Sequence, residues 1–167
     1  YGKKTLYRDL IARIKKTASS LIELGVKEGD RVTICMPNTP TAIIMFYAIN
    51  MIGATANMIH PLSSKNEIEF YLNESKSKYI LIVDLVYDKL KEIEDNTRLK
   101  KIIVSSVSDD MSNFKRAIYW FFSGRKKKIE KDDKAIFYSE FIKLGVYDKD
   151  LKAVKRDMED EAVILYS

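Results

Sequence analysis

The sequence predicts an α/β fold with a mostly parallel sheet and helices on both faces, and three observations support that prediction. Short, apolar, β-branched runs recur along the chain, and segments with helical spacing of apolar residues lie between them. Such βαβα alternation is typical of a parallel sheet, because parallel neighbours need a crossover that a helix can supply. The 167 residues, 46% of them hydrophobic, suffice for the core of one domain and are too few for two.

Strands and helices alternate in a regular order over the first two thirds of the chain. Short apolar runs predict strands at residues 31–36, 54–59, 78–83 and 101–105. Apolar residues at helical spacing predict a further helix after Ser64 and helices at residues 5–24, 42–52 and 85–94. This order favours helices on both faces of one sheet.

The helix ends carry recognisable capping residues. Gly25 is expected to end the first helix, because glycine adopts the left-handed conformation that follows many helices. Thr39 followed by Pro40 gives the second helix a cap and a first-turn proline. Ser64 with Glu67 three residues later matches a capping box. The side chains expected to pack that third helix against the sheet are Ile68, Phe70, Tyr71 and Leu72.

The last third of the chain changes in character before it returns to the same alternation. Residues 106–133 are polar, then aromatic, then basic, and we interpret them as an insertion in a single partial domain covering residues 1–167. A short strand leading into a helix is predicted at residues 135–144, and a charged surface stretch at 147–157. The apolar run at residues 162–166 predicts a last strand, the closing strand.

Composition narrows the cellular context. No apolar run reaches the roughly 18 residues of a membrane span, and the chain starts without Met or an apolar leader. We therefore expect a cytoplasmic protein whose chain begins inside a longer gene product. The single cysteine, Cys35, lies in an apolar run and is expected to be a small buried hydrophobe in a reducing compartment.

Motifs for self-contained catalysis are missing. The six glycines are scattered, so no glycine-rich turn can hold a phosphate group, and Gly-x-Ser-x-Gly is absent. His60 is the only histidine, and we expect it to line a pocket or a strand end rather than bind a metal. The sequence therefore predicts no catalytic residue and no metal ligand within this chain.

An aromatic segment followed by a basic cluster is the least ordinary feature of the chain. Residues 115–131 contain seven basic residues and one acidic residue, a local charge of +6, against +5 for the whole sequence. Aromatic rings beside cations are typical of interfacial membrane contacts, where each cation near anionic lipid contributes about 1 kcal/mol. The residues expected to contact the membrane are Trp120, Phe121, Phe122, Arg125, Lys126, Lys127 and Lys128.

Two other interpretations of this aromatic–basic segment stay open. The aromatic side chains can pack on the domain, leaving the cations as a solvated rim, or the segment can dock on a protein partner. Nucleic acid is not an expected partner, because no aromatic or basic residue repeats at base-stacking spacing. A pI of about 9.1 permits attraction to an anionic surface without requiring it.

Three stretches, taken in order, point to a known family. The first runs from residue 5 through a Gly-Val-x-x-Gly-Asp turn at 25–30. The second includes Gly53-Ala54 and His60-Pro61, and the third is the closing strand at 160–167. Together they resemble the adenylate-forming superfamily of acyl-CoA synthetases, peptide-synthetase adenylation domains and luciferases. The resemblance implies that the chain is part of the large N-terminal domain of such an enzyme.

The resemblance also implies a two-step reaction. A carboxylate attacks the α-phosphate of Mg-ATP to give an acyl-adenylate and pyrophosphate, and the thiol of CoA then displaces AMP. ATP, Mg and CoA are thus implied for the full-length enzyme, and no cofactor is expected for this part alone. Ser167 matches the first position of the phosphate loop, so we expect residues 1–167 by themselves to be inactive.

The substrate class follows from a departure within the second stretch. Peptide-synthetase domains usually have Asp-Pro where this chain has His60-Pro61. The residues that lead up to this dipeptide, which include Asn57, are closer to those of fatty acyl-CoA synthetases. The resemblance therefore implies a fatty acid as substrate, with an amino or aryl acid as the alternative. A different class of function, a non-catalytic module that docks on a membrane or a protein through residues 113–131, also stays open. Peripheral association would place the protein at the inner membrane face.

Overall fold

A computed structural model describes residues 5–106 and 133–166. The strands in these ranges are β1 (Arg31–Cys35), β2 (Thr55–Met58), β3 (Tyr79–Val83), β4 (Lys101–Ser105), β5 (Ala135–Phe137) and β6 (Val163–Ile164). The helices are α1 (Tyr7–Glu23), α2 (Pro40–Met51), α3 (Lys65–Ser75), α4 (Tyr87–Lys91) and α5 (Tyr138–Leu144).

The described strands form one parallel sheet in the order β5-β4-β3-β1-β2-β6. Every pairing between neighbours is parallel. From β1 the chain reaches its neighbour β2, then crosses back over β1 to form β3 on the other side. The predicted α/β class with a mostly parallel sheet is therefore confirmed.

Helices cover both faces of this sheet. Asn57 in β2 donates a hydrogen bond to Ser75 at the end of α3, so that helix lies on one face. Tyr79 in β3 projects to the opposite face, where its hydroxyl donates to the carbonyl of Gly25 just after α1. On that face α1 packs against both α2 and α5.

The core lies along the central strands, which explains why their sequences lack alternation. Ile80, Leu81 and Ile82 are consecutive in β3, and all three are 0% exposed because both faces are covered. Cys35 at the end of β1 is also fully buried, as its apolar surroundings predicted. Burial raises the pKa of its thiol to about 12, so Cys35 is neutral at physiological pH.

The predicted caps are present. The hydroxyl of Thr39 accepts a hydrogen bond from the backbone N–H of Ala42 at 3.3 Å. Ser64 accepts from the N–H of Glu67 at 3.3 Å, and the Glu67 carboxylate accepts from the N–H of Ser64 at 2.7 Å. These bonds satisfy amide groups that the first turn of a helix leaves unpaired.

The structure corrects three details of the sequence-based prediction. The helix predicted at residues 85–94 is instead the short α4, flanked by 3-10 turns at Asp84–Val86 and Glu94–Asn96. Phe70 points away from the sheet and is 60% exposed. The closing strand pairs over only two residues, because Tyr166 turns to contact α3.

Two sequence predictions concern membranes and the insertion. No helix within residues 5–106 or 133–166 has the length and apolar character needed to cross a bilayer. Residues 107–132, which contain most of the predicted insertion, lie outside the described residues, so the insertion stays a prediction.

Candidate functional site

The carboxyl ends of the parallel strands form the most promising edge of the sheet. In open α/β sheets, ligands bind outside these ends, where neighbouring connections leave toward opposite faces. Here the connection after β1 leads to α2 on one face, and that after β3 leads to α4 on the other. We call this the carboxyl edge; it comprises the residues that follow β1, β2, β3, β4 and β6.

Tyr166 joins the end of β6 to helix α3 at this edge. Its ring stacks on Tyr71 with a centroid distance of 3.9 Å and an interplanar angle of 23°. The Tyr166 hydroxyl donates to the Tyr71 carbonyl oxygen at 3.2 Å. Burial raises the pKa of the Tyr166 phenol, so the hydroxyl keeps its proton at neutral pH. The residue next to Ser167 is therefore held by both stacking and a hydrogen bond.

An open depression of about 510 Å³ lies beside the two tyrosines. Its lining residues are Asn66, Glu67, Phe70, Tyr71, Leu165 and Tyr166. The backbone N–H of Ser64 donates a hydrogen bond to the Glu67 carboxylate, and this bond is the main reason that the pKa of the Glu67 carboxyl is lowered; the Ser64 hydroxyl lowers it further. The Glu67 carboxylate is therefore part of the helix cap. The depression thus offers apolar and aromatic surface but no carboxylate free to act as a base.

A buried polar cluster lies between β1, β2 and the end of α3. The Asn57 amide donates to Thr33 at 2.8 Å and to Ser75 at 3.1 Å. Ser77 accepts from the Thr33 hydroxyl at 2.8 Å and lies 2.9 Å from the Ser75 hydroxyl. The side-chain carbonyl oxygen of Asn57 is buried, and no group among the described residues donates a hydrogen bond to it. Because polar groups in a core need partners, this cluster fixes how β1, β2 and α3 fit together.

A second polar cluster lies at the amino ends of β2 and β6. Arg156 donates to the carbonyl oxygen of Ala54 at 2.9 Å and also to that of Glu161. The Thr55 hydroxyl donates to the Glu161 carbonyl at 2.9 Å. These bonds attach the chain before β6 to the start of β2.

The structure gives different outcomes for the residues singled out from the sequence. Ser167 and the expected membrane contacts, residues 120–128, lie outside the described residues, so they stay predictions. His60 lies exposed just beyond β2, where its Nδ1 accepts from the N–H of Leu62 at 3.2 Å. That bond gives His60 a role in the turn at the strand end. Among the described residues, no three or more His, Cys, Asp or Glu side chains lie close enough to hold a metal ion.

Comparison with known proteins decides the family. The model of the family described as AMP-binding enzyme matches residues 1–167. The chain belongs to this family. The match confirms the resemblance inferred from the three ordered stretches.

Curated relatives in the AMP-binding family include ligases for different acids. The chain is 28% identical over 135 residues to the long-chain-fatty-acid–CoA ligase of Bacillus subtilis, covering 81% of this chain and 24% of that protein. It is 28% identical over 109 residues to the 4-coumarate–CoA ligase of Vanilla planifolia, covering 64% of this chain and 20% of that protein. The chain therefore spans about a quarter or less of the length of these relatives.

A solved structure shares the fold. The long-chain-fatty-acid-CoA ligase FadD1 from Archaeoglobus fulgidus superposes with a TM-score of 0.75 at 22% identity, covering 100% of this chain and 28% of that one. The described residues thus share the fold of part of that ligase.

Sequence reasoning missed the contacts that hold the end of β6. Tyr71 and Tyr166 are separated by 95 positions, and Arg156 and Ala54 by 102, so no local pattern connects either pair. Asn57 did carry a signal, because a polar side chain in the middle of an apolar strand needs buried partners.

Proposed function

We propose that this chain forms the first part of the large domain of an ATP-dependent acid–thiol ligase, which converts a carboxylic acid, ATP and CoA into acyl-CoA, AMP and pyrophosphate. The observation that carries the proposal is the match of the AMP-binding family model to every residue of the chain. The parallel sheet supports it, since its carboxyl edge is where an α/β fold binds ligands.

We propose that the described residues hold the end of β6 at the carboxyl edge of the sheet. ATP, Mg and CoA belong to the whole enzyme in this proposal, and the scattered glycines of this chain form no turn that could hold a triphosphate. β6 runs parallel to β2 and ends at the carboxyl edge, three residues before Ser167. We propose Ser167 as the first residue of the phosphate loop. Backbone N–H groups and cations there would stabilise the charge that develops on the phosphates.

We propose a fatty acid as the substrate. The curated relative from Bacillus subtilis carries a long-chain fatty acid in its name, and the His60-Pro61 dipeptide departs from the Asp-Pro of peptide-synthetase domains. An aryl acid is the alternative, since the relative from Vanilla planifolia is named for 4-coumarate.

A panel of acids tests the proposed activity. The longer protein that contains this chain is supplied with Mg-ATP, CoA and saturated fatty acids of increasing length, 4-coumarate or amino acids, and pyrophosphate release is followed. We expect the largest kcat/KM with a fatty acid, and no release without an acid. A preference for amino acids would contradict the proposed substrate, and no release with any acid would contradict the proposed reaction.

We propose a cytoplasmic enzyme that associates with the inner membrane face through residues 113–131. The support is compositional: aromatic residues 119–122 are followed, after two intervening residues, by four cations at 125–128. In this proposal residues 106–133 are an insertion in one partial domain.

Co-sedimentation with vesicles tests the membrane contact. We expect the protein to bind vesicles containing anionic lipid, and we expect the triple variant Lys126→Glu, Lys127→Glu and Lys128→Glu to lose at least about tenfold in binding, given about 1 kcal/mol for each cation. Neutral vesicles and added salt are the controls, because screening weakens charge attraction. Equal binding by the variant would contradict the membrane contact.

A further inference from the structure

Strand β6 is too short to fix its own position. Only Val163 and Ile164 pair with β2, opposite Ala56 and Asn57. Strand side chains alternate between faces, so a slip by one residue would turn Tyr166 away from Tyr71 on α3. Contacts outside the strand must therefore set its register.

One guanidinium group bridges the starts of β2 and β6. Arg156 donates through Nη1 to the carbonyl of Ala54, just before β2, and through Nη2 to the carbonyl of Glu161, two residues before β6. The planar guanidinium holds its donors in a fixed geometry, so it sets the distance between the two carbonyl oxygens. Arg156 thereby aligns these two neighbouring strands at their amino ends.

The surroundings of Arg156 make it the main element of this cluster. Its side chain is only 21% exposed, and Nη1 also donates to the Asn50 side chain at 3.3 Å. Asp160 lies 3.9 Å from its Nε. The nearby ion pair between Arg31 and Glu161 is more exposed, with side chains 36% and 61% accessible, and solvent weakens such pairs.

The opposite end of β6 is held by the stack of Tyr166 on Tyr71. The short strand is therefore held at both ends, at its amino end by Arg156 together with the Thr55 hydroxyl, which donates to the same Glu161 carbonyl. The anchor at Arg156 determines which residue reaches the tyrosine stack, because it fixes the register of the intervening chain.

We propose that Arg156 is a positioning residue for nucleotide binding: by bridging Ala54 and Glu161 it fixes the register of β6 and so the place where that strand ends at the carboxyl edge. This inference rests on the proposed function, in which β6 leads to the phosphate loop. Arg156 itself lies at the amino end of the sheet and does not touch the nucleotide in this proposal.

Hydrogen exchange and kinetics on the longer protein test the inference together. The variants are Arg156→Met, which removes the donors, Arg156→Lys, which keeps the charge but cannot reproduce the planar bridge, and Lys155→Met, which removes a charge from the exposed neighbouring side chain. For Arg156→Met we expect the amides of residues 163–166 to exchange at least about tenfold faster, while those of β1 stay protected. The KM for ATP should rise about tenfold with kcat within about threefold.

The control variants sharpen this result. Lys155→Met should match the unchanged protein in both measurements, and Arg156→Lys should lie between it and Arg156→Met. If Arg156→Met does not fold, the test rests on Arg156→Lys. Faster exchange at 163–166 together with a raised KM for ATP in Arg156→Lys then supports the inference. Exchange rates and a KM for ATP equal to those of the unchanged protein overturn it.

The outcomes separate this inference from the proposed function. Unchanged exchange at 163–166 in Arg156→Met overturns the idea that Arg156 sets the strand. Faster exchange with an unchanged KM for ATP overturns its role in nucleotide binding. If the unchanged longer protein releases no pyrophosphate, the proposed function fails and the nucleotide role fails with it. The exchange data then still decide whether Arg156 fixes β6.

Discussion

Replacing Phe141 by alanine is expected to lower the free energy of unfolding by about 3–5 kcal/mol. Phe141 lies in α5, is 0% exposed, and is among the largest fully buried side chains of the described core. The change removes a ring from the layer that packs α5 on the sheet, and a close-packed core cannot collapse fully around the cavity. Urea denaturation followed by circular dichroism measures the difference.

Phe70→Ala is the matched control for this prediction. The same residue type is exchanged, but Phe70 is 60% exposed on α3, so its loss should cost about 1 kcal/mol or less. Equal losses of stability in the two variants would contradict the described packing of α5. The comparison uses one chemical change at two levels of burial.

Asn57→Asp is expected to destabilise the fold strongly and with a marked dependence on pH. Asn57 is fully buried, and its amide donates to Thr33 and Ser75, which a carboxylate cannot do. Burial would raise the pKa of the new carboxyl above its unfolded value of about 3.9, since charge is costly in a core. The variant therefore keeps most stability at low pH and loses it as pH rises through the raised pKa, by about 3 kcal/mol or more at pH 8.

Asn66→Asp supplies the control at the surface. Asn66 is exposed in the first turn of α3, where a negative charge interacts favourably with the helix dipole. The substitution Asn66→Asp should change the free energy of unfolding by about 0.5 kcal/mol or less at both pH 5 and pH 8. Thermal unfolding of both variants across this pH range makes the comparison, and similar curves for the two would contradict the burial of Asn57.

Local patterns predicted most of the sheet and the helix caps. β1 and β3 are buried on both faces, so their apolar, β-branched sequences are enough to identify them. The capping box at Ser64 and Glu67 involves residues three positions apart and is visible in any sequence. The helix at residues 85–94 was predicted too long, because apolar spacing alone does not separate an α-helix from 3-10 turns.

Contacts between distant parts of the chain could not be predicted in the same way. The bonds of Arg156 to Asn50 and Ala54 join positions more than 100 residues apart, and its neighbourhood in sequence is simply charged. The stack between Tyr71 and Tyr166 depends on the register of β6, which the sequence does not reveal. These long-range contacts determine where the last described strand ends.

We propose that this chain is the first part of a larger adenylate-forming ligase. The direct test compares acid-dependent exchange of labelled pyrophosphate into ATP by residues 1–167 and by the longer protein that contains them. We predict exchange by the longer protein with a fatty acid, and none by residues 1–167, which span about a quarter of the relatives' length. No acid-dependent exchange by the longer protein, or exchange of similar rate by residues 1–167 alone, would contradict the claim.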